Sequence, residues 1–220
     1  MTIHYETVSP ILKEALQKIV ASPVFNDFVL VGGTCLSLQL GHRRSIDIDL
    51  FTDIDYGNMA TESIKKFLQE NFTYYEGLDS LDYSALGYSI RVGNSARDVV
   101  KLDLFYTEKF IFPTVEIDNI RLADLKEIAA MKMAAISQDI PRQKDFWDIH
   151  ELSNRYSLRE MIEWGVQRNE YAVSEEDILK GFQKMDDILE SPEGIDCFCG
   201  NYWELVKDDL KELVKEYGSV

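Results

Sequence analysis

The stretch Val31-Gly-Gly-Thr-Cys-Leu-Ser-Leu-Gln-Leu-Gly-His-Arg-Arg-Ser-Ile-Asp-Ile-Asp-Leu-Phe51 decides how this chain is read. It starts at the end of a short apolar run, residues 28–31. It then breaks at a glycine pair and continues as a helix-length segment to about Leu40. Residues 46–51 alternate apolar and polar side chains. Successive strand side chains point to opposite faces, so Ile46, Ile48 and Leu50 share a core face and Asp47 and Asp49 the other. Their Cα atoms are about 6.8 Å apart in an extended strand. Two carboxylates so placed raise each other's pKa unless a cation lies between them. A hard divalent cation such as Mg²⁺ suits such oxygen ligands. The same D-x-D also describes the solvent-facing edge of an ordinary amphipathic strand.

Two features give the pair more meaning. Gly32-Gly33-Thr34 lies between a strand and a helix, where backbone N–H groups can approach an anion and the helix N-terminus favours negative charge. Further on, Lys101-Leu-Asp-Leu-Phe105 reads as a second strand with Asp103 on the polar face beside Lys101 and Phe105. A neighbouring strand lies about 4.8 Å away, close enough for Asp103 to complete a carboxylate triad. Such a triad can hold one or two Mg²⁺ ions that polarise phosphate and activate an attacking oxygen.

Working outward, Ser9 and Pro10 open a helix over 10–21. Helix is expected at 58–71, strand-like runs near 72–76, 84–92 and 98–106, and a short strand near 116–120. Residues 93–97 read as a hairpin loop. From Asp124 onward the pattern is helical, near 125–138, 142–153, 157–168, 175–190 and 201–217. Asp124 with Glu127, Ser157 with Glu160, and Ser174 with Asp177 form capping-box pairs. The chain thus divides into a mixed α/β core, 1–121, and a helical region, 122–220. No repeat or low-complexity stretch interrupts it.

With 220 residues, 45% of them hydrophobic, the chain can build a sizeable core without disulfides. No apolar run approaches the roughly 20 residues of a membrane span, and no signal peptide is visible. Three cysteines, Cys35, Cys197 and Cys199, read as free thiols of a reducing, cytoplasmic setting. The formal charge is −16, from 23 basic and 39 acidic residues. That argues against a generic basic nucleic-acid coat. The charge is uneven: −7 over 1–120, zero over 121–168 and −9 over 169–220. The acidic tail reads as helices with a solvated face, or as a docking surface for a basic partner.

The order of these pieces resembles the nucleotidyltransferase fold: G-G-T, then G-H-R-x-S-x-D-x-D-L-F, then a later L-D-L strand. More narrowly, it resembles the nucleotidyl transferase AbiEii/AbiGii toxin family of abortive-infection and type IV toxin–antitoxin systems. Leu125-Lys-Glu-Ile-Ala-Ala-Met-Lys-Met-Ala-Ala135 resembles that family's lysine-bearing helix. Arg142-Gln-Lys-Asp-Phe-Trp-Asp-Ile-His-Glu-Leu152 resembles its K/R-D-x-x-D helix. The resemblance covers about 31–152.

It implies an α+β fold, a mixed sheet flanked by helices and followed by an all-helical part. It implies Asp47 and Asp49 as catalytic and metal-binding carboxylates, with Asp103 as a third metal ligand. Gly32, Gly33, Thr34 and Ser45 would bind nucleotide phosphates. Lys132 would neutralise triphosphate charge and Asp145 orient it, with Arg142 and Asp148 beside them. The implied reaction is Mg²⁺- or Mn²⁺-dependent transfer of a nucleoside monophosphate from an NTP to an acceptor hydroxyl, RNA or the 3′ end of tRNA among the candidates. A cognate antitoxin would be a partner; a membrane would not. The alternatives are a catalytically silent nucleotide-binding module and an interaction protein using the acidic tail. His42 and Arg43 read either as structural loop residues or as substrate contacts. Trp147 and His150 read as packing residues of an amphipathic helix.

Overall fold

The computed structural model describes residues 2–77, 86–188, 195–198 and 200–218. The chain forms two compact units. The first comprises Met1–Gly41, Ser45–Lys109 and Thr114–Ala123; the second comprises His42–Arg44, Phe110–Pro113 and Asp124–Val220.

The first unit is built on a seven-stranded mixed sheet of β1 (Val29–Val31), β2 (Asp47–Thr52), β3 (Tyr74–Glu76), β4 (Gly87–Ser95), β5 (Asp98–Tyr106), β6 (Val115–Ile117) and β7 (Ile120–Leu122). Their order across the sheet is β3-β4-β5-β2-β1-β7-β6. The centre is β2, antiparallel to β1 and parallel to β5. Its alternation is seen directly: Ile48, Leu50, Leu102 and Leu104 are at most 2% exposed, while Asp47, Asp49 and Asp103 are half-buried. Helix α1 (Pro10–Val20) packs against β5, β2 and β4. Ser9 caps it by accepting from the Leu12 N–H, and Leu12, Ala15, Leu16 and Ile19 form its buried stripe. Each such side chain contributes about 1.5–3 kcal/mol by leaving water. Helices α2 (Gly32–Leu40) and α3 (Thr61–Asn71) complete the unit.

The expected mixed sheet, flanked by helices and followed by a helical region, is therefore what the chain forms. Several details differ from the sequence reading. Ile46, expected on the core face with Ile48 and Leu50, precedes β2 and is 66% exposed. The run expected at 84–92 is displaced: β4 covers 87–95, and residues 84 and 85 lie outside the described ones. The expected loop at 93–97 shrinks to a turn at Ala96-Arg97, with a bulge between Gly93 and Ser95 that absorbs the register shift. The single strand expected near 116–120 is a β6–β7 hairpin. Its two-residue turn, Asp118-Asn119, has positive φ at both positions (54° and 60°), the geometry that matches strand twist.

The second unit is helical: α4 (Leu125–Ile136), α5 (Gln143–Ser153), α6 (Leu158–Arg168), α7 (Glu175–Gln183) and α8 (Trp203–Tyr217). Asp124 caps α4, and Ser157 and Ser174 form full capping boxes on α6 and α7. The expected helix at 175–190 ends at Gln183 and continues as a 3-10 turn to Asp187; 189 and 190 lie outside the described residues. In α8, Trp203, Val206 and Leu210 are buried, and the acidic side chains lie on the other faces. Trp147 stacks on Trp203 (6.5 Å, 12°), and His150 Nε2 lies 2.8 Å from Asp209 Oδ2. Cys35 is buried and Cys197 half-buried, neither in a disulfide; Cys199 lies outside the described residues. Among the described residues, no helix is long and apolar enough to cross a membrane.

Helices α4 and α7 meet at Gly181, where a Cβ would stand 2.3 Å from the Ile136 carbonyl oxygen. Gly181→Ala is therefore expected to lower unfolding free energy by about 1–3 kcal/mol in urea titrations, the usual range for overpacking.

Candidate functional site

In the first unit, chemistry gathers on the half-buried face of β2 and β5. The parallel register sets Asp47 opposite Lys101 and Asp49 opposite Asp103, so all four side chains share this face. Asp103 accepts from Ser89 Oγ on β4 at 2.7 Å and from Lys101 Nζ at 2.6 Å. The hydrogen bond to Asp103, and the charges of Asp103, Asp47 and Asp49, hold the Lys101 ammonium above its ordinary pKa against the effect of partial burial. Asp103 thus shares the face with Asp47 and Asp49, but it is already bound to a lysine. Among the described residues, no group of three or more His, Cys, Asp or Glu side chains is placed to hold a metal ion, so the expected triad reduces to the pair Asp47 and Asp49 on this face.

The glycine pair sits against this face. Gly32 opens α2 at φ +69°, a conformation that L side chains rarely adopt. A Cβ there would lie 2.3 Å from Asp49 Oδ2. Asp49 and the start of α2 therefore fit together only because residue 32 has no side chain. The N-terminus of α2 carries no side-chain cap. Gly33 is half-buried in its first turn. Thr34 and Ser45 are buried. Their hydroxyls share a 2.7 Å hydrogen bond, and Thr34 also bonds the Asp47 carbonyl. These two hydroxyls latch α2 to the first residue of β2.

In the second unit, α4 and α5 carry a buried ionic cluster. Lys132 Nζ lies 2.7 Å from Asp145 Oδ1 and 2.7 Å from Asp148 Oδ2. Arg43 grips Asp148 with both ends of its guanidinium, Nε to Oδ1 at 2.7 Å and Nη2 to Oδ2 at 2.8 Å. His42 Nε2 adds a contact to Oδ1 at 2.9 Å. Arg142 grips Asp145 the same way, at 2.8 and 3.1 Å, with its side chain 61% exposed. Burial would push the Lys132 pKa down, but Asp148 and Asp145 outweigh it and hold the ammonium above its usual value. Burial would raise Asp148 and Asp145. Lys132 and Arg43 hold Asp148 well below the carboxylate range, and Lys132 and Arg142 lower Asp145. Elsewhere in this unit, buried Glu127 accepts from the Ile111 and Phe112 N–H groups and from Arg168.

The structure thus brings Asp47, Asp49, Asp103, Gly32 and Gly33 together in one unit, and Lys132, Asp145, Asp148 and Arg142 in the other. Sequence reasoning did not assign Ser89 or Lys101 a role, nor pair Glu127 with Arg168. Lys101 carried a usable signal, a basic residue on the same face of the strand as Asp103. The partners of Ser89 and Glu127 lie on other elements and leave no local pattern. His42 and Arg43 are both buried and both contact Asp148.

Asp148→Asn leaves Lys132 and Arg43 with one full carboxylate fewer and is expected to cost about 3–5 kcal/mol of stability. Because the folded pKa values of Asp145 and Asp148 are depressed, their contribution is complete above the unfolded value of about 3.9 and lost as pH falls below it. Urea unfolding between pH 6 and pH 2 should therefore show a steeper acid loss in the wild type than in Asp148→Asn. A second expectation concerns Gly32→Ala. It should destabilise by about 1–3 kcal/mol through backbone strain and the clash with Asp49, and a crystal structure should show Asp49 displaced.

Comparison with known proteins follows the same lines. The family described as "Nucleotidyl transferase AbiEii toxin, Type IV TA system" matches residues 14–188. A relative from Aquifex aeolicus (strain VF5), the uncharacterized protein aq_aa25, is 26% identical over 215 residues, covering 93% of this chain and 95% of that protein. Among solved structures, one from H. pylori described as a nucleotidyltransferase superposes with TM-score 0.52 at 16% identity, covering 91% of this chain and 95% of that one. JHP933 from Helicobacter pylori superposes with TM-score 0.51 at 15% identity, covering 94% and 95%.

Proposed function

The chain belongs to the AbiEii family of nucleotidyl transferase toxins of type IV toxin–antitoxin systems, and from that premise we propose that it is a Mg²⁺-dependent nucleotidyltransferase. It moves a nucleoside monophosphate from an NTP to an acceptor hydroxyl. The observation that carries this proposal is the pair Asp47 and Asp49 on the half-buried face of β2, with the α2 N-terminus pressed against Asp49. An all-oxygen donor set of two carboxylates fits Mg²⁺. That ion is usually held by one or two carboxylates plus waters and substrate phosphates. Asp47 and Asp49 would hold it, with Asp103 as the third carboxylate of the face. When bound, the divalent cation supplies polarisation of phosphate oxygens.

The chain's own groups do the rest. The N-cap residue of α2, Val31, offers no side-chain cap, and the backbone N–H groups of its first turn, at Gly33 and Thr34, suit phosphate oxygens. Ser45 and Thr34 hold that turn in place. The acceptor hydroxyl attacks the α-phosphorus, the bond to the β-phosphate oxygen breaks, and pyrophosphate leaves. The hydroxyl proton passes to a face carboxylate and on to water. In the second unit, Lys132 with Asp145 is the charge-neutralising pair. Arg142 is the exposed cation held on Asp145, and Asp148 anchors the cluster. Most of the rate enhancement would come from positioning and electrostatics. RNA is the proposed acceptor class, the cytoplasm the proposed setting and a cognate antitoxin the proposed partner.

The test uses α-labelled NTPs, Mg²⁺ and total bacterial RNA. Label transfer is expected, falling about 10²–10³-fold in Asp47→Asn and Asp49→Asn and stopping in EDTA. Transfer that survives Asp47→Asn overturns the site assignment. Triphosphate binding without transfer to any acceptor overturns the enzyme reading in favour of a silent nucleotide-binding module.

A further inference from the structure

The face that carries Asp47, Asp49 and Asp103 carries a fourth charged group of opposite sign. Lys101 stands opposite Asp47 in register, two residues before Asp103 on the same strand. Its side chain is 46% exposed, so solvent was open to it, yet Nζ sits 2.6 Å from Asp103 Oδ2. Asp103 is far less exposed, at 13%, and its other oxygen accepts from Ser89. Both oxygens of this carboxylate are thus engaged from within the sheet.

An ammonium and a divalent cation compete for the same carboxylate lone pairs, and the tethered one has the advantage of effective concentration. Mg²⁺ also sheds its water reluctantly, which weakens its claim on a single, already neutralised carboxylate. The charges agree. On β2 and β5 three carboxylates and one ammonium leave −2, and Arg91 on β4, opposite Lys101, is offset by Glu76 on β3; a single divalent ion neutralises that charge and a second would reverse it.

We propose that Lys101 is a built-in counter-cation on Asp103, which limits this face to one resident divalent ion, held by Asp47 and Asp49. The inference rests on the reading of Asp47 and Asp49 as metal ligands given above. Lys101 is then a positioning residue, acting through Asp103. A second metal in the reaction would have to arrive on the phosphates of the nucleotide.

The test counts Mn²⁺ bound to the full-length protein, without nucleotide, by the loss of the free-ion paramagnetic resonance signal. One ion per chain is expected for the wild type, Lys101→Arg and Asp103→Asn. Two are expected for Lys101→Met, and equally for Lys101→Gln should the first variant fail to fold. One ion in both neutral variants overturns the role of Lys101 while leaving the Asp47–Asp49 pair standing. So does a wild-type count of two, or loss of the ion in Asp103→Asn. A wild-type count of zero, or a count of one that persists in Asp47→Asn, overturns the metal reading itself and the inference with it.

Discussion

The packing of the Asp49 carboxylate on the bare Cα of Gly32 is the constraint around which the first unit is arranged. Asp49 is the residue of β2 that stands opposite Val31 on one side and Asp103 on the other. Gly32 follows Val31 and turns the chain from β1 into α2 at positive φ. One contact therefore ties three strands and a helix to a single register. The same register sends Ile48 and Leu50 into the core. A slip of one residue would exchange apolar and acidic faces, exposing Ile48 and burying unpaired carboxylates. Core packing and the acidic face are thus two consequences of one alignment. The Thr34–Ser45 hydroxyl pair secures it from the helix side.

The second unit solves a different problem. Asp145 and Asp148 lie three apart on α5, so both reach the same neighbour, Lys132 on α4. Two anions and one cation would leave an uncompensated buried charge. The buried Arg43 on Asp148 balances that charge, and the 61% exposed Arg142 adds a solvent-facing cation on Asp145, both through paired guanidinium hydrogen bonds. A buried cluster of this kind is poor evidence for stability, since well-packed apolar residues often do as well. What it does fix is geometry: each acid has both oxygens engaged, and the lysine is held between two of them.

Much of this was legible in the sequence because it depends on local periods and caps. The alternation of residues 47–51, the glycine break before α2 and the capping boxes at Ser157 and Ser174 all lie within a few residues of their effects; at Asp124 the cap forms on the Lys126 N–H, but Glu127 turns away to Arg168 and no box closes. The β6–β7 hairpin was read as one strand because its arms are three residues long, too short for a period of two to show. Its marker, Asp118-Asn119, is one of the few non-glycine pairs that accept positive φ. The end of β4 was placed three residues early for a similar reason, since the bulge between Gly93 and Ser95 shifts the pairing and leaves no period of its own. At the candidate site, the shared face of Asp47 and Asp49 follows from spacing. The hold of Arg43 on Asp148, 105 residues away, does not. Nor does the full environment of Lys132. The composition of α4 marks a buried lysine in need of a counter-charge, but only the folded chain shows Asp148 answering that need alongside Asp145.

The charge of −16 looks at first like a bar to any polyanionic substrate, and the structure locates why it is not. Fields from exposed charges fade over about 8 Å at physiological salt, so what a phosphate meets is set by its immediate surroundings. The strongest excess, −9 over residues 169–220, lies outside the β2–β5 face, on residues of the second unit, and remains after Lys180, Lys207, Lys211 and Lys215 are paired with Glu176, Glu204, Asp186 and Glu212. On the β2–β5 face the local charge is −2 once Lys101 is counted, and one divalent cation brings it to zero. A triphosphate or an RNA end would then meet a neutral floor edged by the N–H groups of α2, not a negative wall. The same balance predicts selectivity of grip. With none of the three segments carrying net positive charge, an RNA acceptor would have to be recognised over a short stretch near its reacting hydroxyl, and its affinity should depend only weakly on salt.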